Sequence, residues 1–200
     1  MPRISVQRQE ATRRSILVAA RDVFVAKGFH EATTHDVARA AGLSVGSIYT
    51  YFASKDDLIR ECVLAANQAE TDAVLQDIRS DGSVQAKLTR AIAGWYHYTI
   101  EAPGVPVFLA EAWAAASRKS LIRDLVARRR ERIVTVATVV IREGVANGEL
   151  APDLDVDAMA QALGALLDGV VLESVWSGVP PSLADIERRA LLLLGPLNSH

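Results

Sequence analysis

The stretch that decides the fold is TTHDVARAAGLSVGSIYTYFASKDDLI, residues 33–59. It carries three helix N-cap signals, at Thr33 with Asp36, at Ser44, and at Ser54 with Asp57. Gly42 separates the first two and tolerates the left-handed backbone of a sharp turn. The pattern predicts two short helices joined by a tight turn, followed directly by a long helix.

Apolar residues at three-and-four spacing dominate the rest of the chain, and alternating strand patterns are missing from it. Glycine, proline and serine breaks delimit the segments. Beyond the short pair and the long helix of about 54–79, helices are predicted over about 8–27, 84–101, 106–116, 119–147, 156–177 and 183–194. We therefore expect an all-α fold of about nine helices.

Composition places the chain among globular proteins. It has 200 residues, half of them apolar, which suffices for a core without disulfides or a structural metal. Its one cysteine, Cys62, excludes a disulfide framework and a cysteine zinc cluster. No charge-free apolar run reaches the length of a membrane span, and the first 14 residues lack the apolar centre of a secretory signal. These features predict a cytoplasmic protein with no membrane partner.

The net charge of −2 conceals an asymmetry along the chain. Residues 1–60 hold nine basic and six acidic side chains, a balance of +3, and the remaining residues hold 13 and 18, a balance of −5. A basic end is a hint of nucleic-acid binding, although a merely solvated basic face fits the same count.

Two short helices with a glycine turn are typical of a DNA-reading helix-turn-helix, and also of an ordinary helical corner. The second helix would expose small or hydroxyl-bearing side chains suited to base edges and phosphates: Val45, Gly46, Ser47, Tyr49, Thr50 and Tyr51.

The string ILVAARDVFVAKGFHEATTHDVARAAGLSVGSIYTYFASKDDLI, residues 16–59, resembles the N-terminal DNA-binding domain of the TetR (tetracycline repressor-like) family of bacterial regulators. The resemblance implies a helix-turn-helix domain over residues 1–53 and a helical effector-binding and dimerisation domain over residues 54–200. It also implies a homodimeric repressor that binds a palindromic operator and is released by a small molecule. Two alternatives are an activator of the same family and a helical adaptor that binds protein through its helix-turn-helix domain, which is called the head below.

The same resemblance implies a set of DNA-contacting residues: Thr34, His35, Ser44, Val45, Gly46, Ser47, Tyr49, Tyr51 and Lys55. Thr34, Tyr49 and Lys55 are expected on phosphates, and Ser47 and Val45 on base edges. The recognition helix has no arginine, so specificity would depend on hydroxyls, water and DNA shape.

The C-terminal half resembles a subgroup that includes choline-responsive and other metabolite-responsive repressors. Five of the eleven aromatic residues lie within residues 95–113, around a proline-rich bend, which predicts a ligand pocket, although each ring alone fits an ordinary core. Glu111 beside Trp113 would suit a cation. The predicted ligand-binding residues are Trp95, Tyr96, Tyr98, Phe108, Glu111, Trp113, Met159, Leu163 and Leu167.

The last two helices are apolar around much of their circumference, which requires cover on several sides. By resemblance they form a dimer interface, and burial within one subunit is the alternative. The candidates are Leu166, Val170, Leu191 and Leu194, with Trp176 at the edge. The basic residues Arg128–Arg130 and Arg132 could form a DNA patch, but they are interpreted as the solvated face of a long helix, with Glu131 and nearby acids as their partners.

An enzyme is not predicted. The sequence contains no GxSxG, GxxxxGK[ST] or HExxH motif, and its four histidines (His30, His35, His97, His200) are scattered. No metal and no cofactor are expected. The predicted partners are double-stranded DNA, a small-molecule effector and a second copy of the chain.

Overall fold

The computed structural model describes residues 6–78 and 82–195, without the side chains of residues 69–78. Within those ranges the protein is all-α, which confirms the predicted fold class, and no strand occurs. The nine described helices are α1 (Val6–Glu31), α2 (Thr34–Ala40), α3 (Val45–Tyr51), α4 (Lys55–Ile78), α5 (Val84–Thr99), α6 (Val105–Ala116), α7 (Ser120–Ala146), α8 (Val156–Ser177) and α9 (Leu183–Leu194). His200 and Arg79, the predicted end of the fourth helix, lie outside the described residues.

The first helix extends beyond its predicted end. Gly28, at φ 74° and ψ 164°, breaks the helical backbone as expected, but the chain regains a turn that reaches Glu31. The N–H of Ala32 bonds to the carbonyl of Gly28, so the turn is hydrogen-bonded. The chain thus enters α2 from a kinked helix end.

The chain divides into two compact units. The first unit contains the residues up to Ala66 together with Val107–Leu125, and the second contains Asn67–Pro106 and the residues from Val126 onward. A linear boundary after residue 53 would place residues 107–125 with the second domain, whereas in space they belong to the first unit.

Aromatic side chains fill the core of the first unit. Phe24 and Phe29 meet edge to face with ring centroids 5.2 Å apart, and Phe29 meets Phe108 of α6 at 5.4 Å. Cys62 is also buried here, and burial raises the pKa of its thiol to about 12. A thiol held neutral in this way is unreactive.

The core of the second unit surrounds the fully buried ring of Trp95, with Ile141, Leu150 and Ile186 among the other large buried side chains. A buried lysine is paired: Lys87 Nζ lies 2.5 Å from Glu143 Oε1. The charge of Lys87 is therefore buried together with an opposite charge, which offsets its desolvation.

The arginines of α7 correct the sequence interpretation. Arg129 is buried rather than solvated, and its Nη1 lies 3.0 Å from Asp168 Oδ1 of α8. Arg130 donates to the other oxygen of the same carboxylate at 2.6 Å. The partner sits 38 residues away from Arg130, beyond the reach of the neighbouring-residue rule that sequence reasoning applied.

Helix α8 has the length and the apolar composition of a membrane-spanning helix, contrary to the sequence expectation. A core helix of a soluble bundle satisfies the same two criteria. Asp168 near its centre pairs with Arg129 and Arg130 of α7, which ties one face of α8 to the bundle. Only 28% of its most apolar window is buried, so much of the apolar surface remains uncovered in the single chain.

A glycine permits close helix packing in the second unit. A Cβ at Gly144 would lie 2.5 Å from Val84 Cγ2 and 2.9 Å from Leu150 Cδ1. We expect Gly144→Ala to lower the free energy of unfolding by about 2–3 kcal/mol, because an overpacked core must shift. Urea unfolding measures this loss.

Gly46→Ala is the matched control for that variant. Gly46 is also helical, but its added Cβ would come no closer than 3.8 Å to another side chain, and the position is exposed. We expect Gly46→Ala to leave the free energy of unfolding unchanged or to raise it by up to about 1 kcal/mol, because alanine has a higher helix propensity than glycine. Equal losses in the two variants would contradict the packing explanation.

Candidate nucleic-acid interface

The short helix α3 is fixed from beneath by two buried side chains, Ile48 and Phe52. The turn before it contains Gly42 at φ 65°, and the N–H of Leu43 bonds back to the carbonyl of Ala38 at 2.9 Å. These contacts set the angle between α2 and α3, and they leave the opposite side of α3 in solvent.

Two hydroxyls meet on that exposed side. Thr34 Oγ1, at the start of α2, lies 3.3 Å from Tyr49 Oη on α3, although the residues are 15 positions apart. Tyr49 is 51% exposed, so its hydroxyl is accessible to a ligand. Free N–H groups at a helix start and adjacent hydroxyls are suited to a phosphate oxygen.

The tip of α3 presents small polar groups. Ser44 caps the helix by accepting the N–H of Ser47 at 3.1 Å, and the two hydroxyls lie 2.8 Å apart. Gly46 is exposed, and Val45 and Ser47 are partly exposed; Tyr51, at the other end of α3, is also partly exposed. The predicted base-reading residues therefore lie together at one end of α3, with the Ser47 hydroxyl held by its neighbour.

His35 and Arg39 share the exposed face of α2. An Nη2 atom of Arg39 lies 3.3 Å from His35 Nδ1, and the Arg39 side chain is largely exposed. Sequence reasoning selected His35 and passed over Arg39, although the spacing of four residues on a helix placed them side by side. Arg39 supplies a positive charge next to the helix-turn-helix.

A capping network holds the start of α2. Asp36 accepts hydrogen bonds from Lys27 Nζ at 2.7 Å and from the hydroxyl and N–H of Thr33 at 2.7 and 3.1 Å. The Lys27 bond first, and then the Thr33 bonds, hold the pKa of the Asp36 carboxyl well below its usual range. The ionised carboxylate completes the predicted capping box and orients Thr34.

The second predicted capping box differs in one bond. Ser54 Oγ accepts the N–H of Asp57 at 3.0 Å as expected, but the Asp57 carboxylate accepts the N–H of Ala53 rather than that of Ser54. Arg60 donates to the same carboxylate at 2.5 Å, and this bond first lowers the pKa of Asp57. These bonds fix the start of α4, which follows α3 in the chain after a short turn.

Lys55 lies where the sequence placed it, at the start of α4, but its ammonium is already engaged. Its Nζ donates to the carbonyl of His30 at 3.0 Å and to that of Ala32 at 2.9 Å. These carbonyls belong to the kinked end of α1 and the turn that follows. Lys55 therefore joins the end of α1 to the start of α4, and its contact with a DNA phosphate stays a prediction.

We expect Lys55→Met to lower the free energy of unfolding by about 1–2 kcal/mol, because two charge-assisted hydrogen bonds are lost. Lys119→Met is the control, since it removes a surface ion pair with Asp56 and should cost less than about 1 kcal/mol. Urea unfolding of both variants measures the difference. An unchanged stability together with a reduced salt dependence of DNA binding would support the phosphate contact of Lys55.

Glu111 and Phe108, both predicted in the ligand pocket, instead complete the first unit. Glu111 Oε2 accepts the N–H of Phe29 at 3.2 Å, and a Cβ at Gly28 would lie 3.3 Å from the same oxygen. Phe108 is fully buried against Phe29. Trp113 also belongs to this unit and is partly exposed. The carboxylate expected to bind a cation therefore supports the end of α1.

The second unit contains an apolar cavity of about 60 Å³ between α5, α7, α8 and α9. Three predicted ligand residues line it: Trp95, Leu163 and Leu167. The other predicted residues of this unit do not, because the Tyr96 hydroxyl donates to the carbonyl of Pro181 at 3.2 Å and Tyr98 is exposed. Met159 is partly exposed and also lies outside the cavity wall.

The four predicted dimer residues fall into two groups. Val170 and Leu194 are buried within the subunit, so they are not available to a partner, which corrects their assignment. Leu166 and Leu191 are partly exposed. The most exposed apolar side chains near them are Trp176, Val179 and Leu192. Sequence reasoning placed Trp176 at the edge and missed Leu192, because helical periodicity does not show which face neighbouring helices cover.

Among the side chains that the structure describes, those of residues 6–68 and 82–195, no group of three or more histidine, cysteine or acidic residues is arranged to hold a metal ion. An exposed recognition helix, buttressed by a small helical core, defines a DNA-binding transcriptional regulator of the helix-turn-helix class.

Comparison with known proteins also indicates a helix-turn-helix transcriptional regulator. Residues 16–62 match the family described as bacterial regulatory proteins, tetR family, and residues 84–192 match the C-terminal domain of the BetI-type transcriptional repressor. The chain therefore belongs to the TetR family of bacterial regulatory proteins, as its sequence motifs predicted, and it carries a BetI-type C-terminal domain.

Three similar proteins illustrate the relationship. The HTH-type transcriptional regulator BetI of Klebsiella pneumoniae (strain 342) is 27% identical over 183 residues, which cover 90% of this chain and 89% of that protein. FadR of Bacillus subtilis, solved in complex with stearoyl-CoA, aligns with a TM-score of 0.79 and 22% identity over 91% of this chain and 97% of that one. A Saccharomonospora viridis regulator, solved in complex with choline, aligns with a TM-score of 0.81 and 22% identity. The alignment covers 96% of this chain and 100% of that one. The two structural matches support the fold alone.

Proposed function

We propose that the protein is a homodimeric repressor that binds a palindromic operator and is released when a small molecule enters its second unit. The observation that carries this proposal is the exposed face of α2 and α3, where the Thr34 and Tyr49 hydroxyls lie 3.3 Å apart. The match of residues 84–192 to the C-terminal domain of a transcriptional repressor supports the sign of regulation.

DNA binding requires two heads. The α3 helices of a dimer would enter successive major grooves about 34–36 Å apart, with Ser47 and Val45 at base edges. Thr34, Tyr49 and Arg39 would contact the phosphates beside them. A single seven-residue helix offers few contacts, so affinity depends on joining two half-sites. A protein with such a DNA partner would act in the cytoplasm, which is the location that we propose.

The uncovered apolar surface of α8 and α9 is suited to a second copy of the chain. Trp176 of α8, Leu192 of α9 and Val179 of the loop between them are strongly exposed, and Leu166 and Leu191 are partly exposed. A contiguous apolar surface on a soluble chain marks an interaction site, and a twofold arrangement would pair it with itself.

Control by an effector requires two conformations of the dimer that differ in the distance between the heads. The effector must bind one of these conformations more tightly than the other. Helix α4 begins beside α3 and continues past Ala66, where the second unit starts. A ligand that moves the helices of the second unit would therefore change the position of α4 and with it the spacing of the two heads. DNA affinity would then fall.

A reporter assay tests the sign of regulation. The promoter upstream of the chain's own gene is fused to a reporter, with and without the protein. We expect expression to fall when the protein is present, and to stay high with Ser47→Arg, which blocks close approach of α3. Higher expression with the protein would favour the activator, and no effect together with no binding to any duplex would favour the adaptor.

A further inference from the structure

One of the residues that line the cavity of the second unit carries a polar side-chain atom. Its lining consists of aliphatic side chains and the ring of Trp95, with Ala137, Leu163 and Leu167 on the facing helices. Among the described residues that form it, none carries a charge, a hydroxyl or an amide side chain. An apolar wall of this kind favours apolar ligand surface, because such surface is removed from water there.

The polar atom is the indole nitrogen of Trp95. Trp95 is 1% exposed, and its Nε1 has no hydrogen-bond acceptor within the described part of the chain. Buried N–H groups without a partner are rare, because they lose their hydrogen bond to water without a replacement. An acceptor delivered by a ligand would satisfy this group.

A cationic ligand does not fit the same wall. The carboxylate that sequence reasoning offered to a cation, Glu111, accepts the N–H of Phe29 in the other unit. Transfer of an unpaired charge from water into an apolar site costs far more free energy than one indole face returns.

The volume adds a conformational requirement. The cavity measures about 60 Å³, whereas an apolar cavity known to bind benzene has a volume of about 150 Å³. A ligand of that size must push apart the helices that supply Trp95, Ala137, Leu163 and Ala190, which are α5, α7, α8 and α9. Binding would therefore be coupled to a rearrangement of the second unit.

We infer that the effector of this chain is a neutral, mainly apolar molecule with a hydrogen-bond acceptor such as a carbonyl oxygen, which receives the N–H of Trp95. This inference rests on the proposed function, because it assigns the ligand class of the effector cavity. It separates this chain from the Saccharomonospora viridis regulator solved with choline, a cation.

Two probes of similar shape test the inference on the free protein, without DNA. Cyclohexanone carries the acceptor, and methylcyclohexane lacks it. The apparent affinity of each is read from the rise in melting temperature with probe concentration. We expect cyclohexanone to bind about fivefold more tightly than methylcyclohexane, and choline to produce no shift.

The Trp95→Phe variant keeps an aromatic ring and removes the N–H. We expect it to bind both probes within a factor of about two of each other, with the methylcyclohexane affinity unchanged. Trp176→Phe, at an exposed tryptophan, should behave as the wild type. Ala137→Leu, which fills the cavity, should abolish both shifts.

Three results would overturn the inference: a choline affinity above that of cyclohexanone, an unchanged preference for the ketone in Trp95→Phe, or no saturable binding of either neutral probe. These measurements use the free protein without DNA. A failure of the inference about the ligand can therefore be told apart from a failure of operator binding. If the protein binds cyclohexanone through Trp95 but binds no duplex, the ligand class of the cavity is supported and the proposed repressor function is contradicted.

Discussion

Tyr49→Phe is expected to weaken operator binding about 30-fold while the melting temperature stays unchanged. The side chain is 51% exposed, so its hydroxyl is available to DNA and contributes little to the core. Each head would lose one hydrogen bond to a phosphate, worth about 1 kcal/mol, and a dimer loses two. Because no charge is removed, the slope of log affinity against log salt should stay the same. Fluorescence anisotropy with a labelled operator measures both quantities.

The matched control is Tyr98→Phe. Tyr98 is also an exposed tyrosine, at 42%, but it lies on α5 in the second unit. It should leave operator affinity within a factor of two of the wild type. An equal loss in both variants, or no loss in Tyr49→Phe, would remove Tyr49 from the interface.

Leu192→Glu is expected to convert the dimer to monomers at micromolar concentration and to lower operator affinity at least 100-fold. Leu192 is 69% exposed in the single chain, so the folded subunit should tolerate the change. In a twofold interface the substitution buries two unpaired carboxylates, and each costs several kcal/mol. Sedimentation velocity gives the oligomeric state, and anisotropy gives the affinity.

Leu121→Glu is the control for this variant, because Leu121 is an exposed leucine of the first unit, at 48%. It should sediment as the wild type does. A Leu192→Glu protein that remains dimeric would place the interface on another surface, and the exposed face of α8 and α9 would need a different occupant.

Local sequence signals predicted the framework of the head well. The cap at Thr33 with Asp36 and the cap at Ser44 depend on residues three positions apart, and both formed as expected. The glycine turn at Gly42 follows from a single residue type at φ 65°. These features can be predicted because each is decided within one helical turn of the chain.

Long-range partners could not be predicted in the same way. Lys55 binds carbonyls 23 and 25 residues away, and Glu111 binds an N–H 82 residues away. Both side chains looked free for a ligand in the sequence, because no local pattern shows which backbone group the fold brings to them. The buried Arg129 with Asp168, 39 residues apart, was missed for the same reason.

Two of the four dimer candidates, Val170 and Leu194, are buried within the subunit for a related reason. Period and apolarity place Val170 and Leu194 on an apolar helix, yet the surrounding helices bury both within the subunit. Leu192 is two residues from Leu194 and points to solvent instead. Which apolar face of a helix is covered depends on packing against distant helices, and the pattern within one helix does not contain that information.

We propose above that this chain binds DNA as a dimer through α3. Sedimentation equilibrium of the protein with a labelled duplex from upstream of its own gene tests it most directly. We expect a saturable complex whose mass corresponds to an even number of subunits per duplex, displaced by the same unlabelled duplex and not by one of scrambled sequence. A complex with one subunit, or equal affinity for every duplex, would contradict it.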